Sequence, residues 1–261
     1  GFIARINADG SLDPTFEQGT GFNGTVFDSH VSADGRITAV GQFTAYNGAP
    51  ISRLAQLLPN GILVSTFGVP NAPPNALQFW GITSLELGGF LVHTYPGQYY
   101  GSNPVNGLFK VSSLGEFDSG FGPVGTDYGT LRGAELPHND IVVVGGMKRF
   151  FGPRMVHQGG IFRVNKEGEL DLNFNRNTGV DEWVQAIAPT SDGGAYIGGA
   201  FTRCNGRLRN GIARIAADGT VMQDLEGHGI DPVNPADLIT VKEIVPLPDG
   251  KILIGGYFNR Y

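Results

Sequence analysis

The chain has 261 residues, 41 of them glycine, with 41% hydrophobic and only 16% charged residues and a formal net charge of −6. That composition excludes a disordered chain, and the acidic balance argues against a nucleic-acid or anionic-membrane surface. A single cysteine, Cys204, leaves no intrachain disulfide and no cysteine cluster for zinc, and no apolar run nears the roughly 18 residues needed to span a bilayer.

The first element is Asn7-Ala8-Asp9-Gly10-Ser11-Leu12-Asp13-Pro14-Thr15-Phe16, and the chain repeats it. Six residues after Gly10 stands Phe16. The same offset links Gly61 to Phe67, Gly115 to Phe121, Gly168 to Phe174, and Gly219 to Leu225. Successive turn glycines lie 51, 54, 53 and 51 residues apart, a period that marks a repeat architecture.

Each unit reads as four short strands, A to D. In the first, strand A covers 25–33 and turns at Asp34-Gly35, strand B covers 36–43, and a loop holds Asn47-Gly48. Strand C covers 51–58, and Asn60-Gly61 turns it into strand D, which ends at Phe67. Asp-Gly and Asn-Gly between apolar runs are strong hairpin signals because both residues tolerate positive φ. Later A-to-B turns fall at Gly88-Gly89, Asn139-Asp140, Asp192-Gly193 and Asp249-Gly250. Strand B tends to end in small residues before an aromatic, as in Gly198-Gly199-Ala200-Phe201 and Gly255-Gly256-Tyr257-Phe258. Such glycines predict close backbone approach between neighbouring sheets, or a bulge.

If Ala8-Asp9-Gly10 is a three-residue loop with Gly10 left-handed, Arg5 lies opposite Asp13. Equivalent positions hold Lys110 with Asp118 and Arg163 with Asp171; Gln56 with Val64 loses both charges, and Arg214 faces Met222. These are read as structural cross-strand ion pairs. Asn7, Asp9, Gly10 and Asp13, like Asn165, Glu167, Gly168 and Asp171, also fit the later positions of a calcium loop. The first ligand position is Arg5 or Arg163, a cation where a carboxylate is needed, so no metal is assigned.

Gly211-Ile212-Ala213-Arg214-Ile215, the Asn7 to Phe16 stretch and Gly21-Phe22-Asn23-Gly24-Thr25-Val26 together resemble the delta-60 repeat family. The likeness covers essentially the whole chain and is weakest in the second unit. It implies β-propeller blades, a scaffold found in phage structural proteins and in bacterial secreted or surface proteins, with no catalytic residues to carry over.

The expectation is therefore an all-β, single β-propeller of four-stranded blades over 1–261. Blades cover 24–67, 80–121, 129–174 and 182–225; residues 239–261 begin a last blade that residues 1–16 complete, giving five. An arc of a larger ring is the alternative. Both ends fall in the same loop of the repeat, as in a piece of a longer polypeptide. The recurrent Phe16, Phe67, Phe121, Phe174 and Leu225 are expected between blades.

The short A–B and C–D turns emerge at one end of the strands and the variable B–C and D–A connections at the other. Those variable loops nominate Tyr95, Tyr99, Tyr100, Arg149, Phe150, Phe151, Arg154 and His228 as contact residues. Trp80 and Trp183, at the start of strand A, read as core before sugar platforms. The five histidines lack metal-ligand spacing, no Gly-x-Ser-x-Gly elbow occurs, and the glycine-rich stretches follow hairpins instead of opening helices. No catalytic residue, cofactor or metal is expected. The favoured reading is a non-enzymatic docking module whose partners are other subunits of an assembly, a phage virion or tail part above all. A secreted or surface module that binds glycan is the alternative, and a hydrolase with two acids near the axis comes last.

Overall fold

The computed structural model describes residues 3–17, 19–51, 53–68, 78–122, 125–137, 140–146, 149–151, 155–157, 159–175, 178–223, 225, 227–230 and 239–258. Among these the chain is all-β, without an α-helix, and no helix is long and apolar enough to cross a membrane. It divides into two compact units, Gly1–Ser119 and Gly120–Tyr261.

The first unit holds two antiparallel meander sheets, Val26–Val31 with Ile37–Gly41 and Leu54–Leu57, then Phe79–Ser84 with Phe90–Thr94 and Leu108–Val111. The second unit holds three. They are Thr130–Glu135 with Ile141–Gly145 and Ile161–Val164, Val184–Pro189 with Ala195–Gly199 and Ile212–Ile215, and the two-stranded Thr240–Pro246 with Ile252–Tyr257. Within each unit the A strands of successive sheets lie side by side.

The expected fourth strand is not a strand. Segment D contributes one bridge per repeat, such as Leu57 to Leu63 and Val164 to Leu170, and then leaves the sheet. Two forces draw it off. The chain turns at once, with the amide of Phe67 donating to the Val64 carbonyl at 3.1 Å, which aims the recurrent aromatic into the space between sheets. The following residue then donates its amide to the C–D turn of the next repeat: Glu17 to Asn60, Gly68 to Leu114, Gly122 to Glu167 and Asn175 to Asp218, at 2.7–3.0 Å. Turn glycines serve both the hairpin and this rivet. Gly115 has φ +77°, and a Cβ there would lie 2.7 Å from the Gly68 Cα.

The apolar recurrence lines the gaps between repeats. Phe67 packs with Val40 and Leu54 of its own repeat and with Phe79, Val92 and Phe109 of the next. Phe174 joins Val142, Val144 and Ile161 to Ile197, Phe201, Ala213 and Ile215. Leu225, the aliphatic substitute, is only half-buried against the last core cluster.

The basic residue of each hairpin serves more than its own acid. Arg5 Nε donates to Asp13 at 2.7 Å while its Nη1 reaches the Pro59 carbonyl of the following repeat and its plane lies over Phe16. Arg163 repeats the arrangement with Asp171, the Ala217 carbonyl and Phe174. Burial pushes the Asp171 carboxyl up, but the Arg163 guanidinium and the amides of Asn173 and Phe174 outweigh it and hold the group below the ordinary carboxylate range. Lys110 pairs with Asp118 at 3.1 Å. Where Met222 removes the acid, Arg214 turns to Asp192 of the A–B turn at 2.6 Å. The carboxylates considered for calcium are engaged by the chain itself: Asp9 accepts from the amide and hydroxyl of Ser11, and Asp13 from those of Thr15.

The paired glycines ending strand B have two separate causes. Every A strand carries a bulge near its start, at its second residue or, in Thr240–Pro246, its third. The last glycine faces it: a Cβ on Gly199 would be driven into the Trp183 carbonyl of its own sheet, and Gly41 and Gly256 repeat this against Thr25 and Thr240. The glycine before it makes the inter-sheet approach. A Cβ on Gly198 would sit 2.5 Å from Val241 Cγ1 of the next A strand.

Candidate functional site

The B–C loops are small hairpins, not free loops. They pair Ala45–Tyr46 with Ala49–Pro50, Gln98–Tyr100 with Asn103–Val105, Arg149–Phe151 with Met155–His157, and Arg203–Cys204 with Arg207–Leu208. Asn47 and Asn205 take positive φ before a positive-φ glycine, the two-residue turn that Asn-Gly encodes. The D–A linker bridges the hairpin, Phe22 to Tyr46 and Val180 to Cys204. Burial pushes the Cys204 thiol there up to about 12, so it is a packed, protonated thiol.

These hairpins sort the sequence candidates. Tyr99 stands 45% exposed, whereas its neighbour Tyr100 is 1% exposed and donates its hydroxyl to the Gly115 carbonyl. Tyr46 does the same to Gly61 at 2.8 Å, so Tyr100 is a core anchor and not a contact residue. Alternation along the strand, set by the core beneath, separates the two tyrosines. Tyr95 is half-buried with its ring 5.6 Å from Trp80, edge to face, and Trp80 also stacks on Phe27. Arg149, Phe150 and Phe151 supply the backbone of a hairpin strand that also pairs with Gly125–Thr126. Arg154 lies outside the described residues. His228 is exposed and lines a cleft with Arg207 and Arg209.

The cleft of clearest chemistry lies in the second unit, has a volume of about 360 Å³, and is lined by Asp127, Tyr128, Gly146, Asp181, Glu182 and Trp183 among others. Trp183 is half-buried and lines this open cleft, contrary to its reading as core. Gly146 makes room for the indole, since a Cβ there would lie 2.7 Å from Trp183 Cε2. Tyr128, 48% exposed, meets the indole edge-on with ring centres 5.1 Å apart. Trp183 immediately precedes strand A, and its carbonyl lies where a Cβ on Gly199 would be.

The acids of the cleft have different duties. Asp181 accepts from the Thr202 amide at 2.9 Å, the Thr202 hydroxyl at 2.6 Å and the Arg203 amide at 2.8 Å, and so positions the hairpin. Burial raises its pKa, but those donors outweigh burial and hold it below the ordinary range. Glu182 is exposed, and among the described residues its carboxylate makes no ion pair. An aromatic pair beside a solvent-facing carboxylate can stack on the apolar face of a sugar ring and accept from its hydroxyls. No group of three His, Cys, Asp or Glu suited to a metal ion occurs among the described residues.

With this geometry in view, the chain can be set beside known proteins. The family model "Domain of unknown function (DUF5122) beta-propeller" matches residues 1–16, 32–67, 190–221 and 247–261. The fold is that of a β-propeller. A search of the curated proteins finds no match. Among solved structures, virginiamycin B lyase from Staphylococcus aureus is similar at a TM-score of 0.54 and 15% identity, over 97% of this chain and 67% of that one. The extracellular domain of a putative hybrid two-component system from B. thetaiotaomicron is similar at 0.52 and 13% identity, over 89% of this chain and 26% of that one. At these identities the likeness is one of fold.

Proposed function

We propose that the protein is a non-enzymatic, extracellular or cell-surface binding module that takes a neutral face of a glycan in the Trp183–Tyr128 cleft. The observation that carries this is the indole seated on Gly146 with Tyr128 edge-on and Glu182 facing solvent. The extracellular bacterial domain among the similar folds supports the location. Nothing in the fold or the comparisons bears on a phage virion or tail role, and the surface reading replaces it here. Trp183→Ala is expected to weaken saturable binding found on a glycan array about tenfold, the equivalent of about 1.5 kcal/mol at the upper end for an aromatic contact. Binding that survives both Trp183→Ala and Tyr128→Ala would remove the cleft from the account.

The same reading takes the propeller as five blades of the delta-60 type. The last sheet has two strands, and its second strand leaves Leu253 61% and Tyr257 65% exposed. Residues 3–6 repeat the C strand Ile212–Ile215 in sequence and would supply its third strand. Gly255, the counterpart of Gly198, has open space where Gly198 meets Val241. Gly198→Ala should destabilise by about 1–3 kcal/mol of overpacking against Val241. A neutral Gly198→Ala in chemical denaturation would remove the close approach of successive sheets from the account.

A further inference from the structure

The hairpin Arg203–Cys204 with Arg207–Leu208 has a cleft on each side. Its first strand faces the linker that carries Asp181 and Trp183. Its second leads to Asn210, whose amide donates to the His228 carbonyl at 2.6 Å and whose carbonyl accepts from Ile230 at 2.9 Å. The cleft on that second side, about 490 Å³, is lined by Arg207, Leu208, Arg209, Gln223, Leu225, Gly227 and His228. We propose that this cleft binds an oxyanion, either a carboxylate carried on a sugar or free phosphate.

The case rests on charge that the protein does not answer. Arg209 is 7% exposed. Its guanidinium donates only to carbonyls: Nη1 to Leu208 at 3.0 Å and Gly227 at 3.5 Å, Nη2 to Met222 at 3.3 Å. Its Nε is buried with no acceptor. The arginines of the C–D hairpins, Arg5, Arg163 and Arg214, each hold a carboxylate. Arg209 and Arg207 hold none among the described residues. Asp224 and Glu226, beside Leu225 in the sequence, lie outside those residues. A buried guanidinium without a counter-charge is costly, and its planar fork fits a two-oxygen anion. In a chain of net charge −6, an arginine pair and a histidine converging on one cleft runs against the composition. Leu208 and Leu225 add an apolar wall on which a sugar ring can rest.

This site is separate from the Trp183 cleft, and its test is read separately. Wild-type protein is titrated at low salt with tetragalacturonate, with its uncharged methyl ester, and with inorganic phosphate. Arg207→Gln carries the test, because Arg207 is exposed and its loss should leave the fold intact; Trp183→Ala is the comparison. Tetragalacturonate binding that falls at least about tenfold in the ester and in Arg207→Gln is the expected result, and identifies a sugar acid. Phosphate binding lost in Arg207→Gln, with no response to tetragalacturonate, identifies a free oxyanion. Either supports the site, and persistence in Trp183→Ala separates it from the first cleft. Binding unchanged in Arg207→Gln, or no binding of either anion, would overturn it.

Discussion

Phe174→Ala is expected to lower the stability of the second unit by about 3–5 kcal/mol, the range for removing a fully buried phenyl ring. The ring is completely enclosed and touches the cores of two consecutive sheets, so no single sheet can relax into the space it leaves. It also carries the Arg163 guanidinium, 5.0 Å from its centroid, which orients the pair with Asp171 and the reach to Ala217. Its loss loosens the rivet between two repeats as well as opening a cavity. The melting temperature should fall by roughly 6–20 °C on the scale of 2–4 °C per kcal/mol for a chain of this size. The half-buried Leu225, replaced in the same way, should cost less. A melting temperature untouched by Phe174→Ala would remove the inter-sheet role of the recurrent aromatic.

Gly199→Ala is the second large effect, and its cause is different. Gly199 does not take positive φ, so backbone strain is not the issue. The added methyl would be driven into the Trp183 carbonyl and would lie 2.9 Å from the Trp183 carbonyl carbon and the Val184 Cα. All three atoms are backbone, pinned by the strand pairing across the bulge, and none can rotate aside. Overpacking commonly costs 1–3 kcal/mol, and a rigid backbone neighbour places this case at about 3 kcal/mol. Because the displaced atoms belong to Trp183 and Val184, the indole should move with them. The change is therefore expected to weaken binding at the Trp183 cleft even at temperatures where the protein is folded. Denaturation together with a glycan titration measures both. A variant with native stability and native binding would mean that the A strand can shift at no cost.

Local chemistry was legible residue by residue. Turn glycines such as Gly10, Gly61, Gly168 and Gly219 take φ between +80° and +89°, as three-residue loops with a left-handed last position require. The opposition of Arg5 to Asp13 follows from the same turn. What the period could not show was where segment D goes, because one bridge and four bridges look alike in a run as short as Leu63 to Phe67. The amide of Gly68 settles that by pairing with Leu114, forty-six residues away. Likewise Tyr99 and Tyr100 are the same residue type side by side, and only the core beneath their hairpin decides which one faces water.

The turns and the cross-strand pairs beside them are consequences of contacts within about ten residues, where propensity and spacing suffice. The Trp183 platform arises where two repeats meet, and the buried Tyr100 and the uncompensated Arg209 where a hairpin meets backbone more than ten residues away along the chain. There the outcome depends on which backbone lies across the gap, and Gly146, Gly199 and Asn210 are far from those partners along the chain or act through their lack of bulk. A missing side chain leaves no mark in a periodic pattern until the neighbouring strand is in place.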